Sequence, residues 1–505
     1  MTGAARNRAR RAALLLAALA TSCAAAPTSS ADRTPPPNVV IFLVDDLGWQ
    51  DLSAPFWRER TPWNERYHTP NVERLCREGT KFTAAYAHCV CTPTRVSLLT
   101  GMAAARHRVT HWTLRADTPT DPERGGLRRP VWNWNGLTDT DATANATLAA
   151  TLPQRLAAAG YHTILAGKAH FGAAGTPGAD PCQLGFDVNI AGWANGAPSS
   201  YLAQTAFLRA GDDPIWQVSG LERYHGQDLF LTDVLTTEAL AAAGASVAAQ
   251  QPFLLYLAHY AVHAPFDADE RFAARYRDAG LPEREARYAA LIEGADHSLG
   301  RVLDWLDARG LAEDTVVLFL SDNGGLSAHG RAGEPHTHNT PLRSGKGSAY
   351  EGGVRVPLAV RWPGRTPAGV ELAVPVSVDD VFPTVCELAG ADPRCPDGVA
   401  FTPALRGQPL APHPVFWHHP HWWGATGPGI EPYSGVRDGR YKLLWFYAGG
   451  RAELYDVIAD IGERHDLAAE LPEVTTRLRA LLRRQLADCG ATLPRGADGA
   501  VLPLP

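Results

Sequence analysis

Five short apolar runs recur along the chain: NVVIFLV (38–44), YHTILAG (161–167), FLLYLAHY (253–260), TVVLFLSD (315–322) and PLAVRW (357–362). They are rich in valine, isoleucine, leucine and aromatic residues and do not alternate with polar ones, which predicts strands buried on both faces. Between them lie TPNVERLCREG, TLPQRLAAAG, ARYAALIEGADHSLGRVLDWLDARG and VDDVFPTVCELAG, with apolar positions at helical spacing. Strands alternating with amphipathic helices predict an α/β fold with a large, mostly parallel sheet flanked by helices. Beyond about Arg406 the pattern changes. SGVRDGRYKLLWFY and GGRAELYDV read as antiparallel strands joined by turns, and LPEVTTRLRALLRRQLA as a closing helix. The expected organisation is therefore a catalytic domain over residues 37–408 and a smaller α+β C-terminal subdomain over 409–495. No internal repeat is seen.

The amino terminus carries Arg6, Arg8, Arg10 and Arg11 ahead of AALLLAALA, a run too short to span a bilayer but suited to a secretory signal ending near Ala26. Cleavage among the small residues of SCAAA and lipidation of Cys23 are both open, and 27–36 reads as a flexible tether. The rest has no second apolar stretch of spanning length, so an exported protein is expected, whether periplasmic, extracellular or anchored to the outer membrane through a lipid. A net charge of −6 over 505 residues, with no basic run, argues against a nucleic-acid partner. Eight cysteines are too few for a disulfide-built scaffold. Cys386 and Cys395 are the nearest candidates for a local pair, while Cys76 shares a helical face with Val72 and Leu75 and reads as packing.

In open α/β sheets the ligand lies beyond the carboxyl ends of the strands, and polar chemistry collects there. NVVIFLV ends in Asp45-Asp46, TVVLFLS in Asp322-Asn323, YHTILAG leads to Lys168 and His170, and FLLYLAHY to His263. Either acidic pair alone reads as a cap or a solvated turn. Two such pairs at one edge offer only oxygen donors, the set preferred by Ca²⁺ or Mg²⁺.

CTPTRVSLLTG (91–101) is a second concentration of chemistry. Pro93 suits a helix start, Thr92 a cap and Gly101 a stop. Cys91 would face the positive helix end, where a thiolate is favoured, and Arg95, one turn on, can hold an anion bidentately. A capped helix with an incidental thiol, or a Cys89/Cys91 pair, are the other readings of this segment.

This stretch matches C-x-P-x-R-x-x-x-L-T-G at every fixed position, and with it the chain resembles the type I, formylglycine-dependent sulfatases of the alkaline-phosphatase-like superfamily. NVVIFLVDDLGWQDL, YHTILAGKAHFG, PFLLYLAHYAVHAPF, LFLSDNGG and PLRSGKGSAYEGGVRVP resemble the family's other site segments in the same order, and VRDGRYKLLW and ELYDV its C-terminal part. The resemblance implies that a formylglycine-generating enzyme oxidises Cys91, and that one hydroxyl of the hydrated aldehyde attacks the sulfur of a sulfate ester. It further implies Ca²⁺, with Mg²⁺ the alternative, held by Asp45, Asp46, Asp322, Asn323 and the modified residue 91. Arg95 would hold the diol, Lys168 and Lys346 the sulfate oxygens, His263 would protonate the leaving alcohol and His170 would deprotonate the second hydroxyl so that sulfate leaves.

Three places depart from the pattern or extend it. Ala169 stands where the family has an aromatic; His259 stands close enough to His263 to share its role; His336 and His338 lie near Lys346. The resemblance also admits a phosphonate or phosphodiester hydrolase, or an inactive binder of sulfated glycans. The histidines and tryptophans of VFWHHPHWWGATGPG, His421 and Trp422 above all, suggest a sugar subsite. The expected activity is that of an exo-acting carbohydrate sulfatase on a sulfated galactose or N-acetylgalactosamine.

Overall fold

The computed structural model describes residues 36–505 apart from His329. The expected signal, Cys23 and nearly all of the tether therefore lie outside the described residues. In chain order the strands are β1 (Asn38–Val44), β2 (Thr80–Tyr86), β3 (Gly136–Thr138), β4 (Ala146–Leu148), β5 (His162–Gly167), β6 (Val188–Ile190), β7 (Phe253–Ala258), β8 (Thr315–Ser321), β9 (Arg355–Arg361), β10 (Val370–Leu372), β11 (Val376–Ser377), β12 (Val415–His419), β13 (Tyr433–Asp438), β14 (Tyr441–Phe446) and β15 (Arg451–Asp456).

The main sheet runs β10-β2-β9-β8-β1-β7-β5-β6, with β11 also paired to β2. All five apolar runs are strands of this sheet. In β1, Val40, Phe42 and Val44 enter one hydrophobic core and Val39, Ile41 and Leu43 the other. A strand's two-residue period thus feeds both cores, which is why its sequence shows no polar alternation. Helices Pro70–Glu78, Leu231–Ala248 and Glu283–Ala308 contribute to the first core, and Cys91–Thr100, Leu152–Ala158 and Val381–Ala389 to the second. Leu231–Ala248 is apolar on nearly every side, so it lacks the stripe by which the other helices are legible.

β1 pairs in parallel with β7 and β8, and β5 with β7. The PLAVRW strand, β9, is antiparallel to both β8 and β2. Two reversals leave β2 running the same way as β8, while the chain enters β9 at the edge where its neighbours end.

β12 to β15 form a separate four-stranded antiparallel sheet. One side packs Val436, Leu443 and Leu454 against Leu478, Leu482 and Leu486 of the helix Pro472–Asp488. The other side, through Trp417, Tyr433 and Phe446, packs on Tyr86, Cys89 and Val90, just ahead of Cys91. Trp417 Nε1 donates to the Ala87 carbonyl at 3.0 Å, so this sheet buttresses the start of the Cys91 helix.

Cys386 and Cys395 do not pair; both are free thiols, as are the other described cysteines. Cys386 is buried in the second core, whereas the Cys395 sulfur donates to the Gly398 carbonyl at 3.5 Å. Cys76 is half-buried against the first core, and Ala169 fills the second. Among the described residues no helix is long and apolar enough to cross a membrane.

Candidate active site

The sheet's directions assemble one cluster. β1, β2, β5, β7 and β8 deliver Asp45-Asp46, Cys91, Lys168 with His170, His263 and Asp322-Asn323 to one edge, and reversed β9 brings Lys346, which precedes it, to the same place.

Asp45, Asp46 and Asp322 are fully buried, and each offers a carboxylate oxygen within 4.8 Å of the others. Three cations balance them. Lys168 pairs with Asp45, and Lys346 Nζ lies 2.6 Å from Asp46 Oδ1. Arg95, expected to hold an anion at the helix end, instead holds Asp322 through Nε and Nη2 at 2.9 and 2.8 Å, and donates from Nη1 to the Lys168 carbonyl at 2.7 Å. Burial, with Asp322 beside it, pushes the Asp45 carboxyl well up. Burial would do the same to Asp46, but Lys346 and His263 hold it below the usual range.

Asn323 Nδ2 donates to Asp46 Oδ1 at 2.8 Å, which turns its own oxygen away from that bond. Asn323 Oδ1, Asp45 Oδ1 and Asp46 Oδ2 are buried and have no hydrogen-bond partner among the described residues. Unpaired buried oxygens of this kind are costly unless something positive meets them. An all-oxygen set carrying three carboxylates fits Ca²⁺ or Mg²⁺.

The helix begins at Cys91, with Val90 as its cap, rather than at Pro93. Pro93 is tolerated in the first turn, where its missing N–H is not needed, and Gly101 ends the helix at φ 63°. Thr92 does not cap; its hydroxyl lies 3.1 Å from His170 Nε2. Cys91 Sγ is 3.4 Å from His170 Nδ1, and His170 Nε2 donates to the Thr113 carbonyl at 2.8 Å. That bond fixes the tautomer, leaving the Nδ1 lone pair aimed at residue 91. Burial and the neighbouring Lys168 keep this imidazole neutral. A Cβ on Gly196 would stand 2.4 Å from the His170 ring, so only glycine leaves room for it. Burial also pushes the Cys91 thiol up despite Lys168 and Lys346, so desolvation outweighs the helix end and the free thiol is a poor nucleophile here.

His263 Nδ1 donates to the Ala264 carbonyl at 2.6 Å, and Nε2 stands 3.7 Å from Asp46 Oδ2. Tyr201 supports it from behind, its hydroxyl 2.8 Å from the His263 carbonyl. His259 is not at the site: its Nε2 meets Ser298 Oγ at 2.8 Å and its ring packs on Phe42 in the core.

Cys91, His170, His263 and Lys346 open into a pocket of about 680 Å³ whose walls include Trp112, Trp216 and Trp423. His421 and Trp422, expected in a sugar subsite, are not there. His421 is buried behind the wall, bonded to Thr110 Oγ1 at 2.7 Å and Asp121 Oδ2 at 2.9 Å. Trp422 lies under the Arg124 guanidinium, 4.9 Å from ring centroid to Cζ. Its neighbour Trp423 is the one that faces inward, so the aromatic signal was off by one position. Trp112 comes from an irregular segment and Trp216 from a single 3-10 turn, Pro214–Trp216, too short for a periodic pattern to announce it. His338 bonds to the Ala332 carbonyl at 2.7 Å, and His336 packs against Gly427; neither lines the pocket.

Residues 37–391 match the family model described as Sulfatase, and residues 345–491 the one described as N-sulphoglucosamine sulphohydrolase, C-terminal. A protein named Sulfatase from Formosa agariphila is 29% identical, with 90% of each chain covered. The N-acetylgalactosamine-6-sulfatase of Canis lupus familiaris is 32% identical over 75% of this chain and 68% of its own. The crystal structure of Ps i-CgsB in complex with k-i-k-neocarrahexaose aligns with a TM-score of 0.69 and 27% identity, covering 90% of this chain and 93% of that one.

Proposed function

The chain belongs to the sulfatase family and is a sulfuric ester hydrolase, and we propose that it removes sulfate from a terminal sugar of a sulfated glycan. Residue 91 acts as formylglycine, made by a separate maturation enzyme, and Asp45, Asp46, Asp322 and Asn323 hold Ca²⁺ or Mg²⁺. The observation that carries this reading is the union, in one pocket, of Cys91, His170, His263 and Lys346 with three tryptophans, directly above the buried carboxylates.

Formylglycine supplies a hydroxyl nucleophile that is regenerated, and the cation supplies positive charge for that hydroxyl and the sulfate oxygens. Lys346, at the pocket floor, takes a sulfate oxygen, and Lys168 reinforces it from below. Arg95 fixes the Asp322 carboxylate, one of the groups that would hold the cation. His170 Nδ1, with its lone pair fixed toward residue 91, accepts the proton released there. His263, opposite, gives a proton from Nε2 to the departing alcohol oxygen only as the imidazolium, because Nδ1 already donates to the Ala264 carbonyl; burial and Lys346 favour the neutral ring, so that proton is taken up as the sulfate anion binds.

The walls argue for a sugar. Indole faces stack on the C–H surface of a pyranose, and about 680 Å³ falls within the range of small-molecule pockets, roughly 300–1,000 Å³. The N-acetylgalactosamine-6-sulfatase relative favours a galactose-type sugar.

Profiling on defined sulfated monosaccharides tests this reading. Trp423→Ala should lower kcat/KM on the preferred sugar sulfate by about 10- to 100-fold and on 4-nitrophenyl sulfate much less, because the activated aryl ester depends less on how its ring is held. Equal losses on both would overturn the subsite. Chelation should abolish turnover, and Ca²⁺ at 100-fold above its Kd should raise folding stability by about 2.7 kcal/mol, measurable as a rise in Tm. A Tm indifferent to both Ca²⁺ and Mg²⁺ would refute the oxygen cluster as a cation site.

A further inference from the structure

The pocket wall formed by Trp423, Gly424, Ala425 and Thr426 lies in the connection between β12 and β13 and belongs to no strand or helix. Gly424, Ala425 and Thr426 make no backbone-to-backbone hydrogen bond among the described residues. A wall of this kind cannot hold its shape through its own backbone, yet a sugar subsite requires a fixed shape.

One side chain from a distant segment supplies the missing bonds. Arg124 Nη2 donates to the Trp423 carbonyl at 2.6 Å and to the Ala425 carbonyl at 2.8 Å, bracketing Gly424. The same guanidinium covers the outer face of Trp422. The turn beneath it is shaped for the purpose: Gly125 has φ +63°, and a Cβ there would stand 3.0 Å from the Trp422 ring. Arg124 is itself absent from the pocket lining, whereas the carbonyls it holds belong to lining residues. On the other flank His421 ties the same connection to Thr110 and Asp121, but it does so behind the wall and leaves 423–426 free of its grip.

We infer that Arg124 is a positioning residue for sugar specificity, clamping residues 423–425 from outside the pocket so that Trp423 presents its face to the substrate ring. This rests on the reading of the pocket as a sugar subsite. Among the described residues Arg124 makes no bond of its own to Cys91, His170, Lys168 or Lys346, the groups that handle the sulfate, although the Trp423 ring it positions lies 6.0 Å from Lys346 Nζ. Loss of the clamp therefore acts more on sugar binding than on sulfate transfer.

The experiment compares Arg124→Leu, Arg124→Lys and Trp423→Ala on two substrates, the sulfated monosaccharide turned over fastest by the unsubstituted enzyme and 4-nitrophenyl sulfate. Arg124→Leu should raise KM for the sugar about tenfold, with kcat for the sugar and both constants for the aryl ester within about twofold, the pattern of a lost binding contact. Arg124→Lys should recover most of that loss, because one ammonium can donate to both carbonyls. Aryl ester turnover reports that each variant is folded. Equal loss on both substrates, or no change on the sugar, overturns the clamp. If Trp423→Ala shifts the ratio of sugar to aryl turnover and Arg124→Leu does not, only the clamp fails. If neither shifts it, the sugar pocket fails and the clamp with it.

Discussion

Cys91→Ser is expected to give a folded protein whose steady-state turnover of any sulfate ester falls by at least about 10⁴-fold, the scale of losing a nucleophile. Serine fits the first helical position, whose neighbourhood has already accepted a side chain of that size at 4% exposure. Its hydroxyl can form a bond to sulfur as the alcohol leaves with its proton. What it lacks is a second hydroxyl on the same carbon. His170 Nδ1 then has no proton to take, the sulfate ester on the substituted serine cannot expel sulfate by forming a carbonyl, and the enzyme stops after one turnover. The check has two parts. The wild-type peptide spanning 91–101 should react with a hydrazide probe and carry the mass of an aldehyde, and the serine variant should release at most one equivalent of nitrophenol from 4-nitrophenyl sulfate. Full activity in protein retaining an intact Cys91 thiol, or multiple turnover by the serine variant, would end the formylglycine reading.

Much of the fold was legible because burial on both faces leaves an uninterrupted apolar signature, as in NVVIFLV and TVVLFLS. β2 escaped notice: TKFTAAY mixes threonine, lysine and alanine, and its Lys81 is buried in an ion pair with Glu371 rather than exposed. The orientation of β9 could not be read either, since periodicity reports which residues are buried and not which way a strand runs. Yet that orientation is what brings Lys346 to the edge where Asp46 waits.

The site divides along the same line. Residues adjacent to strand ends, such as Asp45 and Asp322, were readable because a strand fixes where its last residue points. On irregular connections periodicity gave no such guide, and Lys346 and the role of His263 were readable only through the family's motifs. His421 and Trp422 had suitable chemistry in a suitable segment, but in a connection without period a shift of one residue decides between the pocket and the packing behind it. Arg95 shows a third case: its chemistry was right and its partner wrong, because the Asp322 carboxylate fills the place that the sequence left for an incoming anion.

The two lysines should separate in their effects although both are buried beside carboxylates. Lys346→Ala removes a cation that lines the pocket, so kcat/KM should fall by about 10²- to 10³-fold on sugar and aryl sulfates alike, as for loss of one charge-stabilising donor. Lys168 is fully buried, does not line the pocket, and pairs with Asp45 where Asp322 and Asp46 already crowd it. Lys168→Ala removes the cation that favours the charged form of a carboxyl already pushed up by burial, and breaking a buried pair of this kind costs up to about 3–5 kcal/mol. It should therefore lower Tm as well as kcat/KM. Added Ca²⁺ should restore much of the Tm by taking over the charge balance, without restoring activity on the sulfate ester. Lys346→Ala, at a site open to water on one side, should change Tm much less. The pair of melting curves with and without Ca²⁺, set beside the kinetics, is decisive. If Lys346→Ala turned over 4-nitrophenyl sulfate at the wild-type rate, Lys346 would not be a sulfate ligand; if Lys168→Ala melted unchanged, the charge balance proposed for the acidic cluster would be wrong.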